Sequence, residues 1–307
     1  MQVKILGSAA GGGFPQWNCA CRNCCLLRAG KFPGKSRTQA QVAIRCDDNA
    51  WFLLGASPDL RQQIEATPEL HPRREPRDSP IAGVVLPSAE LDHVVGLLHL
   101  RELQPLTVYA TPSVTSILHE QNTMFRMLNR ASEQVFWQSV WPGEECELKP
   151  PSGKASGIRC EVIGIPSRFP SYVCHPESLN PQEATVGLVL ISKEGCSVGY
   201  FPSVRCMTDD LRNVFERLDL LLLDGTFWSE DELIGLQASG QRARDMGHMP
   251  VGGEEGSLRQ LATIRPGRKL YIHINNTNPM LNESSPEYRA VRDAGWELAE
   301  DGWQVTL

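Results

Sequence analysis

Three cysteines in the run Asn18-Cys19-Ala20-Cys21-Arg22-Asn23-Cys24-Cys25 have the spacing to act together. A C-x-C-x-x-C pattern folds three thiolates onto one tight loop, and thiolates suit Zn²⁺ in a tetrahedral site. Three sulfurs leave one position over, so a closed structural zinc site needs a His or Cys from elsewhere in the chain. Small buried residues would read the same way, and so would a redox pair. Thioredoxin-type redox chemistry normally uses C-x-x-C at a helix start. Structural zinc is the preferred expectation for Cys19, Cys21 and Cys24.

A second set of residues sits where apolar strands end. Leu86-Pro-Ser-Ala-Glu-Leu-Asp92-His93 follows a strand and opens a helix; Leu220-Leu-Leu-Leu-Asp224-Gly-Thr ends a strand on a carboxylate; Lys269-Leu-Tyr-Ile-His273-Ile-Asn-Asn-Thr ends one on an imidazole. Carboxyl ends of strands are where α/β proteins place ligand sites. Met246-Gly-His248-Met-Pro adds a histidine in a glycine-bounded loop. Taken singly, Asp92 reads as a helix cap, Asp224 as a turn residue, His273 as a buried structural His and His248 as an exposed loop residue. Three such strand ends and one histidine loop together point to a metal or catalytic site.

Other chemistries are disfavoured. The glycines at 11–13 follow a strand but run into Pro15 and the cysteines, and no G-x-x-x-x-G-K-[ST] is present. No G-x-S-x-G elbow occurs. The 307 residues carry 30 Lys and Arg against 36 Asp and Glu, a net charge of −6 that argues against nucleic acid as partner. No apolar run reaches the roughly 20 residues of a membrane span. Met1–Leu6 lacks the roughly 7–15-residue apolar stretch of a secretion signal. The expected compartment is the cytoplasm, where clustered cysteines among the 10 present suggest metal rather than disulfides.

The elements that must position these residues alternate in a mixed α/β pattern. Strands are expected at Val3–Leu6, Gln41–Arg45, Trp51–Leu54, Ala82–Leu86, Ile158–Ile165, Thr185–Ile191, Ser197–Phe201, Leu220–Leu223, Lys269–Ile274 and Trp303–Leu307. Helices are expected at Leu91–Leu103, Ser113–Asn129, Asp209–Leu218, Gly253–Thr263 and Ser285–Ala294. The expected organisation is one domain over 1–307, built from two βα halves that meet near 149–157. The loop at 166–183 is long enough to cover a site, and its Arg168 and His175 could face an anionic substrate.

The chain resembles the metallo-β-lactamase superfamily and, more closely, the pyrroloquinoline quinone (PQQ) biosynthesis protein B family. Four stretches carry the match: Leu6-Gly-Ser-Ala-Ala-Gly-Gly-Gly-Phe-Pro-Gln-Trp-Asn-Cys19, Leu91-Asp92-His93 with Gly96, Leu223-Asp-Gly-Thr226, and Ile272-His-Ile-Asn-Asn-Thr-Asn-Pro279. The resemblance implies a four-layer αββα sandwich with its active site along one edge. The superfamily motif H-x-H-x-D-H aligns with Ser88-Ala-Glu90-Leu-Asp92-His93, so Asp92 and His93 match while Ser88 and Glu90 replace two histidines. Asp224 matches the bridging carboxylate, His273 the last histidine, and His248 the extra histidine of the RNA-processing branch. The cysteine cluster resembles a subclass with a structural zinc completed by a histidine, and His273 is a candidate for that site as well as for the active-site metal.

The lost histidines argue against an ordinary dinuclear zinc hydrolase. What remains resembles the two-His-one-carboxylate arrangement that suits Fe(II) and oxygen, although Zn, Mn or Cu also accept these ligands. The family reading is therefore an iron-dependent oxygenase that hydroxylates the tyrosine ring of a peptide-derived Glu-Tyr precursor of PQQ. Its alternatives are a carrier assisting transport of PQQ or its precursor, and a single-metal hydrolase. A zinc loop of this subclass also suggests a homodimer.

Overall fold

Short runs rich in Val, Ile, Leu and aromatic residues form the strands, as a pleated, buried surface favours. The structure, a computed structural model, describes residues 1–46, 50–236, 240–264 and 267–307. The chain divides into two compact units, the first of Met1–Gly7, Gln41–Ser197 and Gly302–Leu307, the second of Ser8–Ala40 and Val198–Asp301. The 149–157 stretch lies inside the first unit.

The first unit holds a seven-stranded mixed sheet. Its strands are β1 (Gln2–Gly7), β2 (Gln41–Arg45), β3 (Trp51–Leu54), β4 (Ile81–Val85), β5 (Leu106–Ala110), β6 (Val135–Ser139) and the C-terminal strand β14 (Gln304–Thr306), in the order β14-β1-β2-β3-β4-β5-β6. Pairing is antiparallel from β14 to β3 and parallel from β3 to β6. Every residue of β3, β4 and β5 is buried. The parallel strands need crossovers, and these carry the short helices α2 (Leu60–Glu65), α3 (Leu91–Val94) and α4 (Pro112–Ser116). Trp51, Leu53, Val84, Val94, Leu97 and Val108 lie in the core cluster.

Two long helices expected from the sequence are shorter than their periodicity suggests. The segment from Leu91 is α-helical only to Val94 and continues as a 3₁₀ turn over Val95–Leu100. Gly96 explains the break. Its N–H bonds Ala56 O at 2.9 Å, and a Cβ there would lie 2.2 Å from Ser57 O, so only glycine lets the helix approach this closely. After α4 comes a π turn over Ile117–Gln121 and a 3₁₀ stretch over Thr123–Asn129. Asn122 is extended between them, and its side-chain amide donates to Ile117 O at 2.7 Å, diverting a helical acceptor.

The first unit also holds the antiparallel run β7 (Glu145–Glu147), β8 (Ile158–Gly164) and β9 (Val186–Ser192), in which Cys146 stands directly opposite Cys160. The cysteines outside the 19–25 run differ in exposure. Cys160 is buried, whereas Cys174 and Cys206 are exposed, as their loop positions allow. The loop at 166–183 lies against the core through Phe169, Tyr172, Val173 and Leu179, while Arg168 and His175 are exposed and His175 pairs with Glu177.

In the second unit, β10 (Ser197–Phe201, in this unit from Val198), β11 (Leu220–Asp224), β12 (Arg268–Ile272) and β13 (Glu297–Leu298) run parallel. Leu220 to Leu223 are fully buried, each contributing roughly 1.5–3 kcal/mol of hydrophobic stabilisation. α5 (Asp209–Glu216) is capped by Thr208, whose hydroxyl accepts from Leu211 N, and Phe215 packs edge-on against Phe201. The segment from Gly253 is helical only over α6 (Ser257–Gln260), since three glycines precede it and Gly253 is left-handed. α7 (Pro286–Asp293) precedes Trp296, which stacks on Tyr271. Near the unit's start, α1 (Arg22–Arg28) follows the glycine turn. No helix among the described residues is long and apolar enough to cross a membrane.

Glu183 anchors the end of the 166–183 loop. Its buried carboxylate accepts from Ser113 N (2.8 Å), Ser113 Oγ (2.7 Å) and Asn180 Nδ2 (3.1 Å). Glu183→Leu strands these donors and is expected to cost about 3 kcal/mol in urea unfolding. A loss below about 1 kcal/mol would mean that the loop end relaxes without them.

Candidate metal centres

Asp224 is the last residue of β11, and only 2% of its surface is exposed. Its Oδ2 accepts from Val204 N (2.9 Å) and pairs with His248 Nδ1 (2.8 Å). Its Oδ1 accepts from the N–H (3.0 Å) and hydroxyl (2.7 Å) of Thr226. The same hydroxyl lies 2.8 Å from His273 Nδ1 and 3.1 Å from His248 Nδ1. The two imidazoles stack with centroids 5.2 Å apart. This network assigns a proton to Nδ1 of each ring, the tautomer in which Nε2 is the basic nitrogen. Ligand atoms of Asp224, His248 and His273 lie within 4.8 Å of one another, so the donor set fits one divalent cation.

His273 has a left-handed backbone, with φ 59°. A non-glycine residue there costs on the order of 1–2 kcal/mol and persists where its surroundings over-determine it. Those surroundings are explicit: Ile274 N bonds Ser8 O, Ala10 N bonds Ile274 O, and Asn275 N bonds Thr226 O. Gly225 lets the strand ends close up, because a Cβ there would lie 2.8 Å from Tyr271 Cβ.

Asp92 and His93 lie in α3, beyond the carboxyl end of β4, within the first unit. His93 is buried. Its Nδ1 lies 2.7 Å from Ser88 Oγ, and its carbonyl accepts from Ala56 N at 2.7 Å. Ser88, which stands where the superfamily motif has a histidine, thus orients the imidazole that the chain keeps.

Cys19, Cys21 and Cys24 come together, their sulfurs within 4.8 Å of one another. Cys21 is the N-cap of α1 and Cys24 lies in its first turn, so the cluster opens on a helix that periodicity did not indicate. Burial opposes ionisation at Cys19, but hydrogen bonds from the Cys21 N–H, the neighbouring thiols and Asn276 outweigh it and lower that thiol. Burial pushes Cys24 up to about 12. Three such groups ionise together only around a cation. His273 lies with Asp224 and His248; the polar group facing the sulfurs is Asn276. Its amide is 3.2, 3.6 and 3.3 Å from Cys19, Cys21 and Cys24 Sγ. The two ends of a side-chain amide are exchangeable by rotation, so Oδ1 can take the fourth position of a tetrahedral site.

Glu232 accepts from Trp228 N (2.6 Å) and from the Thr277 hydroxyl. Burial pushes its carboxyl up to about 7 from an ordinary 4.5. The folded state thus favours the neutral acid, and stability falls as pH rises from about 4.5 to about 7. Glu232→Gln mimics the neutral acid, with its oxygen accepting from Trp228 N and its amide N–H donating to the Thr277 hydroxyl oxygen, and removes that penalty. In urea unfolding of the metal-free protein, the variant should gain up to roughly 3 kcal/mol over wild type at alkaline pH. The advantage should vanish at acid pH. A pH-independent difference would show that Glu232 titrates alike in the folded and unfolded protein.

A model of the beta-lactamase superfamily domain matches residues 50–274. Coenzyme PQQ synthesis protein B of Methylobacterium sp. (strain 4-46) is 42% identical over 309 residues, and that of Rhodopseudomonas palustris (strain TIE-1) 41% over 312, with 100% of each chain covered. The crystal structure of Zn(2+)-bound PqqB from Methylobacterium extorquens matches with a TM-score of 0.90 at 39% identity, again over 100% of both chains. A diphosphatase of the PhnP family shares the fold, with a TM-score of 0.67 at 18% identity over 100% of this chain and 97% of that one. The fold is the metallo-β-lactamase αββα sandwich that the motifs imply. The chain belongs to the coenzyme PQQ synthesis protein B family of the beta-lactamase superfamily.

Proposed function

We propose that this protein acts in PQQ biosynthesis as an iron-dependent oxygenase, hydroxylating the tyrosine ring of a peptide-derived Glu-Tyr precursor. The observation that carries the reading is the donor set of Asp224, His248 and His273, two imidazoles and one carboxylate within 4.8 Å. That set suits Fe(II) with positions left for oxygen and substrate. Bound ferrous iron would supply the one-electron chemistry by which O₂ reacts. In the overall change one oxygen atom replaces a ring C–H by C–OH, and the other leaves as water with two electrons and two protons from an external reductant.

The chain's own residues hold the geometry. The Thr226 hydroxyl contacts both imidazoles at Nδ1, so that each presents Nε2, and an outer partner of this kind raises ligand basicity. The motif assigns Asp92 and His93 to metal binding as well. Cys19, Cys21 and Cys24 with Asn276 would hold a structural zinc, consistent with the zinc-bound relative.

The test is to load metal-stripped protein with Fe(II) without air, add the cross-linked Glu-Tyr compound and a reductant, and admit O₂. Mass spectrometry should find product heavier by one oxygen atom, with O₂ consumed. Tight product binding without turnover would identify a carrier instead, and cleavage fragments a hydrolase. Asp224→Ala should lower turnover by about 100-fold or more, because both the carboxylate and the His248 orientation are lost. Unchanged activity would remove Asp224 from the centre.

A further inference from the structure

The two candidate metal centres of the second unit share one short segment, residues 273–278. His273 stands at its start. Three residues on, Asn276 faces all three sulfurs. Two residues further, the buried Asn278 amide donates to the carbonyls of Gly225 (3.0 Å) and Thr226 (3.3 Å). Thr226 is the residue whose hydroxyl contacts both imidazoles. From the cysteine side, Asn23 Nδ2 reaches Asn276 O (3.1 Å) and Asn278 O (3.3 Å), so α1 grips the same turn by its backbone. The segment is thus held by the imidazole centre through His273 and Asn278 and by the cysteine loop through Asn276 between them.

We propose that the cysteine-bound metal, through Asn276 as its fourth ligand, sets the position of the 273–278 turn and thereby the metal affinity of the Asp224–His248–His273 centre. The proposal rests on reading both groups as metal sites. The left-handed backbone of His273 makes the turn sensitive, since it is a conformation that neighbours must impose. With metal present, Asn276 is tied by a coordinate bond. Without it, the amide has only weak hydrogen bonds to sulfur, and the turn is held by Asn23, Asn278 and the Thr277–Glu232 pair. Coupling of this kind is reciprocal: metal at the imidazoles tightens the cysteine site by the same factor. Asn276 is a positioning residue for the centre, touching none of its three ligands among the hydrogen bonds described.

Mn(II) is the probe for the imidazole centre, because it favours nitrogen and oxygen donors over thiolates. The full-length protein is stripped of metal, and half is given one equivalent of Zn(II), which the thiolates take first. Mn(II) binding is then read from the loss of the free-ion electron paramagnetic resonance signal. Zinc-loaded wild type should bind Mn(II) about tenfold more tightly than the stripped protein, a factor typical of site-to-site coupling. Asn276→Ala, with zinc bound by the thiolates, should fall to the affinity of the stripped protein. Asn276→Asp, which keeps an oxygen donor, should restore it. Circular dichroism of each variant checks that the fold is retained. Equal Mn(II) affinity with and without zinc overturns the coupling while leaving the imidazole centre intact. Mn(II) binding that is absent, or unaffected by Asp224→Ala, overturns the reading of that centre and the coupling with it.

Discussion

Strand β11 ends four buried leucines with a carboxylate, and that placement constrains what surrounds it. A charge so deep is tolerable only if it is hydrogen-bonded. Val204 N, the N–H and hydroxyl of Thr226, and His248 all pair with it. Two of these donors have a second duty: the hydroxyl contacts His273, and His248 stacks on His273. Satisfying one buried charge therefore aligns two imidazoles before any metal arrives. The alignment belongs to the fold and is not made by the ligand.

The strands that carry the chemistry were readable because their apolar runs are continuous and bounded by turn residues. Gln41–Arg45, Trp51–Leu54 and Ser197–Phe201 match residue for residue. What escaped has a physical cause in each case. Leu106–Ala110 mixes Thr and Tyr into a buried strand, and Glu145–Glu147 is a three-residue edge whose pairing depends on β8. The helix at Arg22–Arg28 has one buried residue, Cys24, so no apolar stripe marks it. Leu91 and Ser113 open segments with good helical periodicity, but Gly96 and Asn122 redirect single hydrogen bonds and shorten them.

The site shows the same division. Asp224 and His273 announce themselves at strand ends, and the cysteine spacing is specific on its own. The residue opposite the sulfurs was expected to be a histidine or a fourth cysteine; it is an asparagine. The Asn275-Asn276-Thr277-Asn278 run was visible as an Asn-rich turn, yet nothing in its composition distinguishes the amide facing sulfur from the amide clamping Gly225. Only the left-handed turn at His273 sorts them. Glu232 is likewise an ordinary acidic residue in the sequence, and becomes distinctive only when Thr277 and the Trp228 N–H close over it.

Cys24 and Asn276 are 252 positions apart. At a synthesis rate of about 5–20 residues per second, the amide emerges from roughly ten seconds to nearly a minute after the thiols it faces. For that interval the cysteine loop stands without its partner, open to oxidants and to whichever soft metal ion arrives first. The completed turn closes over thiols that were exposed first, so a metal held there would be met by the cysteines before Asn276 exists.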